Sequence, residues 1–316
     1  MDSGRIYGVG ETVYDIIFRD GKIEGGCPGG SVLNSMVTLG RLGLPAVFLS
    51  EYGSDQIGSL INGFLQENSI DISRIRRPAD SKTPLALAFQ HGNKTKYDFY
   101  RCEPQVNSSF EIPEFSGNDI LLFGSFYSIL PGKRDTVVKI LESARRGGAL
   151  IVYDPNFRNA HLDELPELLP AIRENIGYAD IIRGSDEDFR NIFGAETFEE
   201  ATESIRGKSF IYTMGECGVS LQSGGLTKNY SAKAVNPVST IGAGDSFNAA
   251  VCYCLHRLGI SSQELSNIDE SLWDTIINTG IDFSAEVCQS RENYIAQSFA
   301  EEFGKNFNNK YRRLRS

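Results

Sequence analysis

Toward the C-terminal end, Gly242-Ala243-Gly244-Asp245 leads into Ser246-Phe247-Asn248 and a small, apolar run, Ala249-Ala250-Val251-Cys252, suited to a buried helix. A turn feeding such a helix leaves its first backbone N–H groups without intrahelical partners. Glycines at 242 and 244 let those groups converge without Cβ obstruction, and the helix dipole adds positive potential at the same place. The result is an anion hole. Asp245, at the helix start, is placed to take a proton from a hydroxyl while the N–H groups hold a transferring phosphoryl group. The same residues also suit a plain tight turn whose aspartate caps a helix, so the rest of the chain has to separate the two readings.

Other polar groups could serve such a site. In Gly25-Gly26-Cys27-Pro28-Gly29-Gly30-Ser31-Val32-Leu33-Asn34, the pair Gly29 and Gly30 permits close backbone approach to a hydroxyl-covered ligand. Asn34, one helical turn further on, both donates and accepts hydrogen bonds. Asp15 is an acceptor-only carboxylate, matched to vicinal hydroxyl donors or, equally, to a turn. Asp154-Pro155-Asn156-Phe157-Arg158 follows an apolar run, at a strand C-terminus where open α/β sheets bind ligands. The six cysteines form no C-x-x-C pair and have no histidine at zinc-ligand spacing, which favours reduced thiols. The three histidines are scattered, so a Ser-His-Asp arrangement has little support.

The elements that position these groups follow from periodicity. Ile6-Tyr7-Gly8-Val9 and Ala46-Val47-Phe48-Leu49 read as strands, and Ile57, Leu60, Ile61, Phe64 and Leu65 repeat at helix spacing. The rhythm continues through strands at 120–123, 149–153, 180–182 and 210–213, with a helix over Val137 to Ala144 that stops at Gly147-Gly148. This predicts an α/β fold: a mainly parallel sheet with helices on both faces. Segments at 13–24 and 85–101 break the rhythm, the second reading as a hairpin about His91-Gly92-Asn93-Lys94; they suggest a small β-sheet lid. Asn306 to Ser316 is polar and basic and reads as a frayed tail.

Composition narrows the function. A formal charge of -10 disfavours nucleic acid as a partner, since phosphate-backbone affinity comes from lysines and arginines. No run approaches the roughly 18 apolar residues of a membrane helix, and the first residues lack a secretory signal, so no membrane association and a cytoplasmic location are expected.

The string Ser239-Thr240-Ile241-Gly242-Ala243-Gly244-Asp245-Ser246-Phe247 resembles the second signature of the ribokinase-like (PfkB-type) carbohydrate kinases, usually Asp-Thr-x-Gly-Ala-Gly-Asp-Ser-Phe. The segment from Gly25 to Asn34, continuing through Leu39-Gly40-Arg41-Leu42-Gly43 and Gly53-Ser54-Asp55-Gln56-Ile57-Gly58, is similar to the first signature. The resemblance implies a single ribokinase-like kinase domain over 1–316, a three-layer α/β/α fold with a lid, ATP as phosphoryl donor, and Mg2+. It implies Asp245 as catalytic base with Gly242, Ala243 and Gly244 forming the anion hole, and a sugar held by Asp15, Gly29, Gly30 and Asn34. Asp154, Asn156 and Arg158 match the family's Asp-x-Asn-x-Arg, which faces the phosphates and metal. Arg183-Gly184-Ser185-Asp186-Glu187-Asp188 stands in place of Lys-x-Asn-x-x-Glu, which orients hydrated magnesium; Ser185 and Asp188 replace the usual Asn and Glu, with Glu187 as an understudy. Thr213, Gly215 and Gly218 resemble a Thr-Leu-Gly-x-x-Gly element near the nucleotide phosphates, and Asn278 opens a segment similar to the helix bordering adenine.

Two regions depart from the family. Ser239 replaces the aspartate that opens the second signature, and Arg291-Glu292-Asn293 replaces Arg-x-Gly, which argues against strong activation by a monovalent cation such as potassium. Lys96-Tyr97-Asp98-Phe99-Tyr100-Arg101 resembles a lid strand of fructokinases and 2-keto-3-deoxygluconate kinases, where Arg101 would contact the substrate. The expectation is a fructokinase. 2-Keto-3-deoxygluconate, another sugar, or a catalytically idle sugar-binding protein on the same fold stay open. A Rossmann dehydrogenase fits poorly, because Gly8-x-Gly10 lacks the third glycine. Exposed lid edges suggest a homodimer formed through the lid.

Overall fold

The computed structural model describes residues 4–91, 94–100 and 111–311. The first strand, β1 (Ile6–Val9), is followed by β2 (Val13–Arg19), β3 (Lys22–Gly29) and helix α1 (Ser31–Arg41). Then come β4 (Ala46–Leu49), α2 (Gln56–Glu67), the hairpin β5 (Leu85–His91) and β6 (Lys94–Tyr100), and β7 (Ile120–Gly124). The chain continues with α3 (Arg134–Gly147), β8 (Leu150–Asp154), α4 (Leu165–Tyr178), β9 (Ile181–Ser185), α5 (Asp186–Phe193), α6 (Phe198–Glu203) and β10 (Ser209–Thr213). It closes with β11 (Val219–Ser223), β12 (Leu226–Tyr230), α7 (Ala243–Leu258), α8 (Glu270–Cys288) and α9 (Gln297–Tyr311).

Among the described residues, two sheets form. The larger has the order β12-β11-β10-β9-β8-β7-β1-β4, parallel from β4 to β10, with β11 and β12 added antiparallel. Its strands alternate faces with period two. Ile6, Phe48, Leu122, Val152 and Ile211 pack with α1, α7 and α8 on one side, while Tyr7, Val47, Leu121, Tyr153 and Phe210 pack with α3 and α5 on the other. Both faces are covered, which is why these strands read as continuous apolar runs. The expected three layers are present.

The smaller sheet has the order β3-β2-β5-β6, with β2 and β5 parallel and each hairpin antiparallel. The strands anticipated at 13–24 and 85–101 are these, with one difference. Gly25-Gly26-Cys27-Pro28-Gly29 forms the second half of β3, paired to β2, so the strand runs five residues past the anticipated end at 24. The sheet then hands over to α1 through Gly30 alone, at φ 139.

Helix ends follow their sequence cues. Gly148 adopts the left-handed conformation just past α3, as Gly147-Gly148 suggested. The C-terminal segment corrects its expectation: α9 runs to Tyr311, because Phe299, Phe303 and Phe307 recur at i, i+4 and meet Tyr253 and Phe283. Residues 312–316 lie outside the described part. No helix among the described residues is long and apolar enough to cross a membrane.

Candidate active site

Two helix N-termini meet at the centre of the site. On α1, Ser31 and Asn34 are three residues apart and so share a face. Ser31 Oγ donates to Asp245 Oδ1 at 2.7 Å and Asn34 Nδ2 donates to Asp245 Oδ2 at 2.8 Å. Ser35 Oγ donates to the Asp245 carbonyl at 2.8 Å, locking the two helices together. Gly242 is the N-cap of α7 at φ 82, and its missing side chain leaves room for the backbone of Asn293. Gly244 is less constrained: a Cβ there would lie 2.7 Å from Arg183 Nη1, the end of a side chain that can shift. The Ala243 N–H of this turn donates to the Thr240 carbonyl at 3.3 Å.

Asp245 is buried, and burial pushes its carboxyl up to about 6. The donors Asn34 and Ser31 oppose that push; Asp154 adds to it, and Arg158 counters it. Asp15, on lid strand β2, is also pushed up to about 6 by burial. Its Oδ2 occupies the space a side chain at Gly29 would need. Gly30 similarly makes room for the carbonyl of Glu11. Two carboxylates thus flank the short stretch from Gly29 to Ser31. The amide oxygen of Asn34, Oδ1, is buried without a hydrogen-bond partner, leaving an acceptor beside Asp245.

Behind the anion hole lies a polar cluster at the strand ends. Arg183 Nη1 donates to Asp154 Oδ2 at 3.0 Å and Arg183 Nη2 donates to Thr213 Oγ1 at 2.8 Å. Asn248 Nδ2 donates to the same Asp154 oxygen at 2.5 Å, while the Asn156 N–H donates to Oδ1 at 3.0 Å. Asn156 has φ 41, held by this short turn. Arg158 is exposed at the mouth.

The carboxylates expected to hold magnesium are otherwise engaged. Asp188 is buried, with Oδ1 accepting from the Phe157 N–H and Oδ2 from the N–H and hydroxyl of Ser185. Ser185 and Asp188 form a reciprocal capping box at the start of α5. Burial and the neighbouring Asp154 hold the Asp188 carboxyl above its ordinary range. Glu187 is exposed and accepts from Asn159 Nδ2 at 2.8 Å. Among the described residues, no group of three or more His, Cys, Asp or Glu side chains could hold a metal ion. Asp154, Asp188 and Glu187 each accept hydrogen bonds from neighbouring protein groups, so a magnesium beside them would be held through its water shell and the nucleotide phosphates.

The remaining expected residues lie at the periphery. Gly215 (φ 55) and Gly218 (φ 103) shape the turn from β10 to β11, and a Cβ at 218 would meet the carbonyl of Tyr230. Asn278 is exposed on α8 and donates to the Asp274 carbonyl. Arg101 lies outside the described residues. Ser239 Oγ accepts from the Ile241 N–H at 3.2 Å, shaping the approach to the anion hole. Sequence reading did not single out Ser31, Arg183 or Asn248. The i, i+3 spacing of Ser31 and Asn34 was the available signal for the first.

The solved structure of a fructokinase double mutant from Vibrio cholerae O395, bound to fructose, ADP and a potassium ion, superposes with a TM-score of 0.81. Its identity is 22%, and the match covers 95% of this chain and 98% of that one. The architecture is the ribokinase-like α/β fold. A fructokinase from Klebsiella pneumoniae is 27% identical over 266 residues, covering 82% of this chain and 86% of that protein. An ATP-dependent 6-phosphofructokinase from Thermoanaerobacterium thermosaccharolyticum is 28% identical over 250 residues, covering 76% and 77%. The family model described as pfkB family carbohydrate kinase matches residues 9–289. The chain belongs to the pfkB family of carbohydrate kinases.

Proposed function

We propose that this carbohydrate kinase transfers the terminal phosphoryl group of ATP to a hydroxyl of a small sugar, with fructose as the acceptor. The observation that carries the reading is Asp245, oriented by two donors from α1 at the lip of the anion hole. The sugar sits between Asp15, Gly29, Gly30 and the orphaned Asn34 oxygen. Asp245 takes the proton of the attacking hydroxyl as its oxygen bonds to the γ-phosphorus. The bond from that phosphorus to the bridging oxygen breaks, and ADP leaves. N–H groups of Gly242, Gly244 and Asp245 hold the phosphoryl oxygens, with the α7 dipole and the Arg183 guanidinium beneath. The lid sheet excludes water. No step is assigned to a protein-bound metal.

An ADP-release assay with ATP and magnesium against fructose, 2-keto-3-deoxygluconate, ribose, tagatose 6-phosphate and adenosine tests the reading. Turnover on fructose above the others is expected. Turnover on a different sugar replaces the acceptor, and sugar-dependent thermal stabilisation without any turnover replaces the enzyme with an idle sugar-binding protein. In the same assay, exchanging sodium for potassium is expected to change the rate by less than about twofold, since Ser239 offers no carboxylate for a monovalent cation.

The pH profile gives an independent check. Asp245 works only when ionised, and its carboxyl titrates at about 6. Asp15, also at about 6, binds sugar hydroxyls best as the carboxylate. The value of kcat/KM should therefore be flat above pH 7 and fall below about pH 6. With two groups involved, the limiting slope is steeper than tenfold per unit. A profile flat down to pH 5 would contradict both roles.

We further propose a homodimer formed through the lid. Support comes from β3 and β6 as sheet edges and from the exposed Ile23 (68%), Phe99 (49%) and Tyr100 (59%). Light scattering that finds only monomer removes this assembly.

A further inference from the structure

We infer that Ser31 is a positioning residue for the proton acceptor: its hydroxyl, donated to Asp245 Oδ1 at 2.7 Å, fixes the carboxylate's plane and keeps it ionised beside the anion hole. The inference rests on the phosphoryl-transfer reading and adds a residue to it.

The geometry makes the two donors complementary. Asn34 holds Oδ2 alone, and a carboxylate held at one oxygen can still turn about its terminal torsion, which is broad and two-fold. A second donor at Oδ1 removes that freedom. Each oxygen keeps lone-pair capacity for the sugar hydroxyl. Ser31 is not needed to start its own helix, because the N-cap of α1 is Gly30, which makes no side-chain cap. Its hydroxyl reaches instead across to α7, 214 residues further along the chain.

The charge balance gives the hydroxyl a second effect. Groups acting on Asp245 come from three elements: Asn34 and Ser31 from α1, Asp154 from β8, and Arg158 from the loop that follows it. Burial and Asp154 favour the proton; Asn34, Ser31 and Arg158 favour the charge. Burial is the largest influence and raises the carboxyl to about 6, and the donors hold it from rising further. Removing one of them moves its titration toward neutrality. A hydroxyl that merely filled space would lack that effect.

Ser31→Ala and Ser31→Thr test this, with two readouts. The carboxyl carbon-13 resonance of Asp245, assigned by its loss in Asp245→Asn, is titrated in the protein without substrate. In parallel, kcat and KM are followed against pH with ATP and the sugar turned over by the wild type. Ser31→Ala is expected to raise the Asp245 midpoint by about one pH unit, from the worth of a hydrogen bond to a charged group. It is also expected to lower kcat at pH 6.5 by about fivefold, with KM for the sugar within about twofold. Ser31→Thr, which keeps the hydroxyl, returns both. An unmoved midpoint in Ser31→Ala overturns the inference even if kcat falls. A wild type without turnover sinks the kinase reading alone, and the carboxyl titration still decides the role of Ser31.

Discussion

Asp245→Asn is expected to slow phosphoryl transfer by orders of magnitude and, above pH 6, to make the folded protein more stable. The loss of activity follows from removing the proton acceptor, and kcat should drop by about 10²–10⁴-fold while sugar still binds. The gain in stability follows from linkage. The Asp245 carboxyl titrates at about 6 when folded, against an ordinary 3.8. Between those values the folded chain keeps a proton that the unfolded chain has released, so stability falls as pH rises through this window. Above pH 6 the full cost of burying the charge is present. Asparagine avoids that cost but gives up the charge-assisted bonds from Ser31 and Asn34, leaving a net gain of about 1–2 kcal/mol. Urea unfolding at pH 8 and pH 4 checks the sign: the gain should be present at pH 8 and absent at pH 4. Equal destabilisation at both values would mean that the site stores no such cost.

Gly242→Ala should be more damaging than its size suggests. At φ 82 an L-residue costs about 1–2 kcal/mol. In addition, the new Cβ would lie 2.6 Å from Asn293 Cα, and backbone cannot step aside as a side chain can. Overpacking of this kind adds about 1–3 kcal/mol. The turn moves, its N–H groups lose their convergence, and kcat should fall by about 10²–10³-fold. Gly259, at the other end of α7, is the control: it has φ 70 but open space around it. Gly259→Ala should cost about 1 kcal/mol and leave turnover intact. Thermal melts and the ADP-release assay on both variants separate strain from function. Similar kinetics for the two would show that the anion hole does not depend on Gly242.

Much of the large sheet was legible because its strands are buried on both faces. The runs at 6–9 and 46–49 became β1 and β4 with those bounds, and the Gly147-Gly148 stop to α3 held. The antiparallel pair β11 and β12 was not read, although Val219 to Tyr230 alternates around Gly224-Gly225, which forms the hairpin turn. β12 is half-buried and gives a weaker apolar signal, while the mostly buried β11 carries Ser220, Gln222 and Ser223. At the C-terminus the polar composition hid the four-residue recurrence of phenylalanines that seats α9.

The site was legible in its parts rather than its pairings. Asp245, Gly242 and Asn34 stood out through spacing and motif, yet nothing in the sequence says that α1 holds the Asp245 carboxylate from 211 and 214 residues away. Asp188 adds a pairing of another kind. Its place in the motif suggested a metal role, and Ser185-x-x-Asp188 is also a capping pattern that the fold forms. Arg183 stood at the lysine position of the Lys-x-Asn-x-x-Glu pattern, which says nothing of its partners: Asp154 and Thr213 come from other strands.

The lid strand β3 and the helix that orients Asp245 are one continuous stretch of backbone with a single residue between them. Gly30 is pinned on its open side by the carbonyl of Glu11 and so has little slack. A sugar that draws β3 inward must therefore turn the first residues of α1 as well. If the proposed phosphoryl transfer holds, grasping the acceptor and aiming the group that deprotonates it would be one movement, and a chain closed on water alone would be closed on the wrong shape.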